Sequence, residues 1–274
     1  MTDDTVLGKK VEYATTYTPS LLVTLPRSEQ RQSLGISEGE MPFHGLDLWN
    51  CYDFTWLNGQ GKPEVAVAQF EVPCNSKNMI EAKSLKLYLL SFCQTKFGRG
   101  RAEVKDTLES DLTVAVQAPV SVNLSAPEHA QHVGLGVLTG QCIDNLDVEI
   151  DDYYWNPDYL EISSNLTVKA SLYTNLLKSV CPVTGQPDFG SILIQYNGLE
   201  IDQEGLLKYI ISYREHAEFS EQVVERIFMD ILNRCQQPSR LSVYARYARR
   251  GGIDINPFRS LDDAYVQDIR LWRQ

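Results

Sequence analysis

The sequence predicts an α+β protein of two modules, each an antiparallel sheet with two helices. Three observations carry that reading. The first is a diverged internal repeat. Lys62–Val72 matches Gln186–Tyr196, and Leu85–Phe92 matches Leu206–Tyr213. The second is period-two alternation after a Pro-acid step, as in Pro63-Glu64-Val65-Ala66-Val67-Ala68-Gln69-Phe70, which is the mark of a half-buried strand. The third is helical spacing downstream of each strand, clearest in Val223, Val224, Ile227, Phe228, Ile231 and Leu232.

Taken in chain order, each copy reads as a strand, a turn, a helix with one apolar face and a second helix. Ser220 stands where the N-cap of the last helix belongs. Each copy is expected to close in an alternating strand, Thr113–Val122 and Leu241–Tyr247. The acidic, aromatic stretch Ile143–Asn165 reads as the connection between modules plus an edge strand. That places the modules at residues 1–160 and 161–274. The copies differ where chemistry would sit: Cys181 aligns with Leu57, Lys86 with Leu207, and Lys83 with Glu204. Such complementary loss points to one composite site built from both modules.

Composition narrows the function. At 274 residues the chain is long enough for two cores. A formal charge of −11 argues against wrapping nucleic acid, which needs positive surface. No Lys or Arg falls between Lys105 and Lys169, while Arg246, Arg249, Arg250 and Arg259 crowd together, a distribution suited to an anionic small molecule. The six cysteines are scattered without a C-x-x-C pair and the four histidines lack ligand spacing, so free thiols and no metal are expected. No apolar run is long enough for a membrane span and the acidic start is unlike a secretory leader, so the expected location is the cytoplasm.

The most informative run is Cys181-Pro182-Val183-Thr184-Gly185-Gln186-Pro187-Asp188. Its prolines and glycine cannot continue a helix, which places thiol and carboxyl on one turn-rich loop before a buried strand. A thiol and a carboxyl so held are a nucleophile and a proton donor. A buried structural cysteine beside a turn aspartate is the plainer reading of any such pair. For Lys83 and Lys86 the plainer reading is a solvated helix face, and for Arg249 and Arg250 a basic turn.

The rest of the chain decides between these readings. Glu81-Ala82-Lys83-Ser84-Leu85-Lys86-Leu87-Tyr88 resembles the signature of the NADPH-dependent nitrile reductases of queuosine biosynthesis. Cys181–Asp188 resembles their nucleophile loop. Leu241–Tyr247 and Arg249–Pro257 resemble their C-terminal block, and Pro42-Phe43-His44-Gly45 with Trp49 resembles their opening segment. The resemblance covers nearly the whole chain, in the longer two-module form. It implies tandem tunnelling-fold modules and reduction of 7-cyano-7-deazaguanine to its aminomethyl product with two NADPH and no metal. A homodimer without direct nucleic-acid binding goes with it. Carried over by position, Cys181 is the nucleophile and Asp188 the general acid. Ile80, Glu81, Ala82, Ser220 and Glu221 contact the substrate, and Ala82, Lys83, Arg250 and Gly251 contact NADPH.

Ser220 departs from the pattern, since the family has histidine between the matching Phe219 and Glu221. Serine keeps a hydrogen bond but cannot share a proton as imidazole does. Retained attack on the nitrile, with a changed later step or a looser hold on substrate, is therefore expected. His216 is the one nearby histidine that would stand in. Two other classes compete: a different tunnelling-fold enzyme acting on a purine or pterin, and a non-catalytic deazaguanine binder. The hydrolytic relatives use zinc, whose ligand spacing is missing here. A decayed binder has no reason to keep Cys181 and Asp188 together.

Overall fold

The computed structural model describes residues 13–37, 39–132 and 134–274. Its frame is seven long strands and four long helices. The first half gives β1 (His44–Asn58), β2 (Pro63–Pro73), α1 (Ala82–Leu90), α2 (Arg101–Val116) and β3 (Ser121–Ser125). The second gives β4 (Ile162–Val180), β5 (Pro187–Ile201), α3 (Gln203–Ile211), α4 (Ser220–Arg234), β6 (Arg240–Tyr247) and β7 (Ile253–Ser260). The repeat read from the sequence is thus a strand–strand–helix–helix–strand unit used twice.

The strands form one mixed, mainly antiparallel sheet in the order β3-β2-β1-β7-β6-β5-β4. Gln141–Cys142 extends it at the β4 edge, and Lys96–Phe97 pairs with β1. The halves join where β7 pairs with β1, from His44↔Ser260 to Cys51↔Ile253. Gly45 permits that approach: at φ +142° its backbone lies so close that a Cβ would fall 2.0 Å from the Phe258 carbonyl oxygen.

Helical stripes pack on this sheet as two cores. Val104, Leu108, Leu112 and Val116 recur every four residues along α2 and are buried with Trp49, Trp56 and Phe70. Val223, Val224, Ile227, Phe228 and Ile231 of α4 pack with Ile192, Ile194, Val243 and Ala245. Leu193 and Tyr244, pointing the opposite way along the same strands, instead meet Phe258 and Leu271. No helix of the described residues is long and apolar enough to cross a membrane.

Three expectations need correction. Thr113–Val116 belongs to α2, because the Leu108–Leu112–Val116 stripe outweighs the β-branched alternation there; the strand begins only at Ser121. Between residues 143 and 161 no strand forms. The edge strand is Gln141–Cys142, and β4 starts at Ile162. The N-cap of α4 is Phe219 and not Ser220, which is the first helical residue; Gln222 accepts from the Phe219 backbone N–H at 3.2 Å.

Under the seam lies a buried ionic lattice. Arg259 of β7 bridges Asp47 of β1 and Glu225 of α4, each at 2.8 Å. Arg27 pairs with Asp47 at 2.5 Å, and Arg31 with Glu225 at 2.6 Å. All five side chains are at most 9% exposed. Removing one member strands the others in low dielectric. Glu225→Ala should therefore lower the unfolding free energy by about 3–5 kcal/mol in chemical denaturation, and a loss below about 1 kcal/mol would show that the lattice is solvated or dispensable.

Candidate active site

A cavity of about 580 Å³ opens where the two halves meet. Four structural pieces supply its chemistry. The β4–β5 hairpin brings Cys181 and Asp188, the start of α4 brings Ser220 and Glu221, and the β6–β7 turn brings Arg249, Arg250 and Gly251. The start of α1, from the other half, adds Ile80, Glu81, Ala82, Lys83 and Lys86. Every residue that the resemblance assigns to catalysis, substrate or NADPH therefore lines one cavity.

The hairpin differs from the expected loop in one respect. Asp188 is already in β5, paired with Ser179 of β4, and only Cys181 to Gln186 are outside the strands. The Cys181 backbone closes that turn, its N–H donating to the Gln186 carbonyl and its carbonyl accepting from Gly185 N–H, each at 2.9 Å. The thiol is half-buried. Burial alone would raise its pKa, but hydrogen bonds from the Thr184 hydroxyl and the Thr184 and Val183 N–H groups, helped by Arg250, bring it below the ordinary thiol value. Asp188 moves the other way: burial lifts its carboxyl above the usual range, although Arg250 pairs with it at 2.5 Å and pulls downward. One guanidinium thus serves both groups.

Glu221 is 2% exposed, and its Oε1 is buried with no hydrogen-bond partner among the described residues. Burial pushes its pKa up to about 8, with the Asp47 carboxylate adding and Arg27 and Arg259 opposing. Glu81 is less free: its carboxylate caps α1, accepting from Lys83 N–H at 3.1 Å and Ser84 N–H at 2.7 Å. Gly251 has φ +60°, and a Cβ there would stand 2.1 Å from Lys86 Nζ, so glycine lets the turn settle against that ammonium. Lys83, Lys86, Arg249 and Arg250 thus place cations on both sides of the cavity.

Not all of the sequence expectations converge here. His216 is no substitute for the missing histidine: its Nε2 lies 3.0 Å from Glu218, its ring packs edge-on to Tyr213, and it is absent from the cavity wall. Arg246 and Arg259 are structural. The first is held by Asp268, Tyr244 and Gln274, and the second by the ionic lattice. Sequence reasoning missed Thr184, which tunes the thiol, and Tyr247, a buried residue of the cavity wall. Among the described residues no cluster of three or more His, Cys, Asp or Glu could hold a metal.

The fold and this thiol–carboxyl cavity define an enzyme-like site shared by two related halves. Family comparison agrees. Residues 13–124 match the family described as "Nitrile reductase, 7-cyano-7-deazaguanine-reductase N-term", and residues 187–265 match "QueF-like protein". The chain belongs to this nitrile reductase family, in its long two-module form. Among solved structures, "Crystal structure of the archaeosine synthase QueF-Like in the apo form" is 17% identical, covering 36% of this chain and 95% of its own, with a TM-score of 0.31.

The raised pKa of Glu221 makes stability depend on pH. Its folded value lies above the ordinary 4.5, so the fold favours the neutral acid. That contribution is complete below about pH 4.5 and is lost as pH rises through about 8. Relative to wild type, Glu221→Gln should gain melting temperature progressively from pH 5 to pH 8.5. A difference that stays constant across that range would show that Glu221 is ionised in the fold.

Proposed function

We propose that the protein reduces the nitrile of 7-cyano-7-deazaguanine to the aminomethyl group with NADPH, through a covalent thioimide on Cys181. The observation that carries this is the gathering of a pKa-lowered thiol, a protonatable carboxyl and an unpartnered buried glutamate in one cavity flanked by cations.

The chemistry follows from these groups. The Cys181 thiolate adds to the nitrile carbon, so a C–S bond forms and one C–N π bond breaks. Asp188 delivers its proton to the nitrogen, where negative charge develops. Glu221 accepts from N1–H and the exocyclic amine of the deazaguanine, a paired edge that suits a carboxylate. Its proton must leave as substrate binds, because in the unliganded site its pKa is about 8. Two NADPH would supply the two hydrides, four electrons in all: after the first, the C–S bond breaks, the Cys181 thiolate leaves and an imine remains, which the second would take to the amine. The cavity fits that co-substrate: Lys83 and Arg250 meet phosphate charge, Ala82 offers backbone, and Gly251 allows close approach. A phosphate that drew Arg250 away would leave Asp188 buried without its counter-ion, raising its pKa when a proton is needed.

On this reading residues 1–160 and 161–274 are tandem tunnelling-fold modules. Ile80, Glu81, Ala82 and Ser220 complete the substrate pocket, Glu81 mainly by capping α1 so that its first N–H groups are held in place. The protein acts as a cytoplasmic homodimer in queuosine biosynthesis, without binding RNA itself.

Mixing protein, 7-cyano-7-deazaguanine and NADPH should consume two NADPH per nitrile, with none consumed by Cys181→Ala. Consumption that survives in that variant would contradict the reading. Ser220→His should alter KM or turnover. If both stayed unchanged, Ser220 would have no part in holding the substrate.

A further inference from the structure

Tyr247 ends β6 opposite Gly190 of β5. A Cβ at Gly190 would sit 3.2 Å from Tyr247 Cδ1 and 3.4 Å from Cε1, so the missing side chain is what lets the ring lie across the strand. The residue is 3% exposed and lines the same cavity as Cys181 and Glu221. Its Oη is buried and has no hydrogen-bond partner among the described residues. Phenylalanine would fill this space without that penalty, since a buried hydroxyl left unpaired loses its hydration for nothing. Two other polar atoms share this condition, Glu221 Oε1 and the Oγ of fully buried Ser179, the cross-strand neighbour of Asp188. Two of these atoms, Tyr247 Oη and Glu221 Oε1, belong to residues that line one cavity, and they call for a ligand that pairs with them.

The surroundings of the phenol tell which atom it meets. Burial raises its pKa, the Ser179 hydroxyl opposes, and the Asp188 and Glu221 carboxylates raise it further, so it stays protonated and acts as a donor. It therefore lies under the influence of both acids. On the proposed substrate, the edge read by Glu221 runs from the exocyclic amine to N1–H, then to the 6-oxo oxygen, and then to the cyano group that Cys181 and Asp188 address. The acceptor between the two acids is the 6-oxo oxygen.

Resting on the proposed function, we infer that the Tyr247 hydroxyl donates a hydrogen bond to the 6-oxo group and selects 6-oxo over 6-unsubstituted or 6-amino deazapurines. Tyr247 is a substrate contact and takes no part in moving the proton or the electrons.

The test compares Cys181→Ala with Cys181→Ala/Tyr247→Phe, so that binding is read without covalent trapping. Calorimetric titration with 7-cyano-7-deazaguanine should show the double variant binding about tenfold or more weakly, the effect of leaving a buried carbonyl unpaired. The 6-unsubstituted analogue, 2-amino-7-deazapurine-7-carbonitrile, should bind both proteins alike. The melting temperature of unliganded Tyr247→Phe should equal or exceed that of its parent. Equal affinity for the 6-oxo ligand would overturn the inference, as would a matching loss for both ligands with a lowered melting temperature, the mark of a structural role. Wild-type turnover of the nitrile separates the two levels. With turnover and no Tyr247 effect, only this inference falls; with neither turnover nor binding, the proposed function falls and takes the inference with it.

Discussion

Arg259 reaches from β7 to Asp47 on β1 and to Glu225 on α4, and the arrangement of the cavity hangs on that one guanidinium. β7 and β1 belong to opposite halves of the sheet, so the lattice fixes one half against the other. Glu225 and Glu221 are four residues apart on α4 and share a face, so wherever Glu225 is tethered, Glu221 is aimed as well. Ion pairs buried this deeply are often no more stabilising than apolar packing of the same volume. What they add here is position. An apolar seam would let α4 slide, whereas Arg27, Arg31 and Arg259 leave Glu225 one place to be. Three cations against two carboxylates also leave an excess positive charge beneath Glu221, which favours its ionised form once a ligand pairs with it.

A second shared guanidinium sets the chemistry. Arg250 lies beside both Cys181 and Asp188, lowering the thiol while offsetting the burial of the carboxyl. The two groups need opposite things: the thiol must lose its proton and the carboxyl must keep one. A fixed cation cannot serve both equally. The hairpin resolves this by giving Cys181 its own donors, Thr184 and Val183, so that the thiol depends less on Arg250 than Asp188 does. On the proposed reading, Arg250 is then free to turn toward an anionic co-substrate without costing the site its nucleophile.

Much of this was legible in the sequence, because the repeat and the helical stripes are local patterns with direct physical meaning. The composite site was legible too, since each half lacks what the other carries: Leu57 stands in place of Cys181, and Leu207 in place of Lys86. What failed to show were features decided by competition or by long-range contact. Thr113-Val114-Ala115-Val116 reads as a strand until the stripe from Leu108 is weighed against it. Arg246 and Arg259 look like ligand-binding cations, and only their partners at Asp268 and Asp47 reveal them as structural. Nor does the sequence show that the Glu81 carboxylate accepts from the first N–H groups of α1. Tyr247 is indistinguishable in sequence from the core aromatics around it. Its unpaired hydroxyl exists only in three dimensions.

The central claim is that this cavity presents deazaguanine nitrile to an activated thiol. Intact-mass measurement after incubation with 7-cyano-7-deazaguanine, with NADPH left out, tests it most directly. The account predicts a single adduct of the substrate's mass, mapped to Cys181 and missing from Cys181→Ala. Protein that stays unmodified, or modification at any of the other five cysteines, would contradict it.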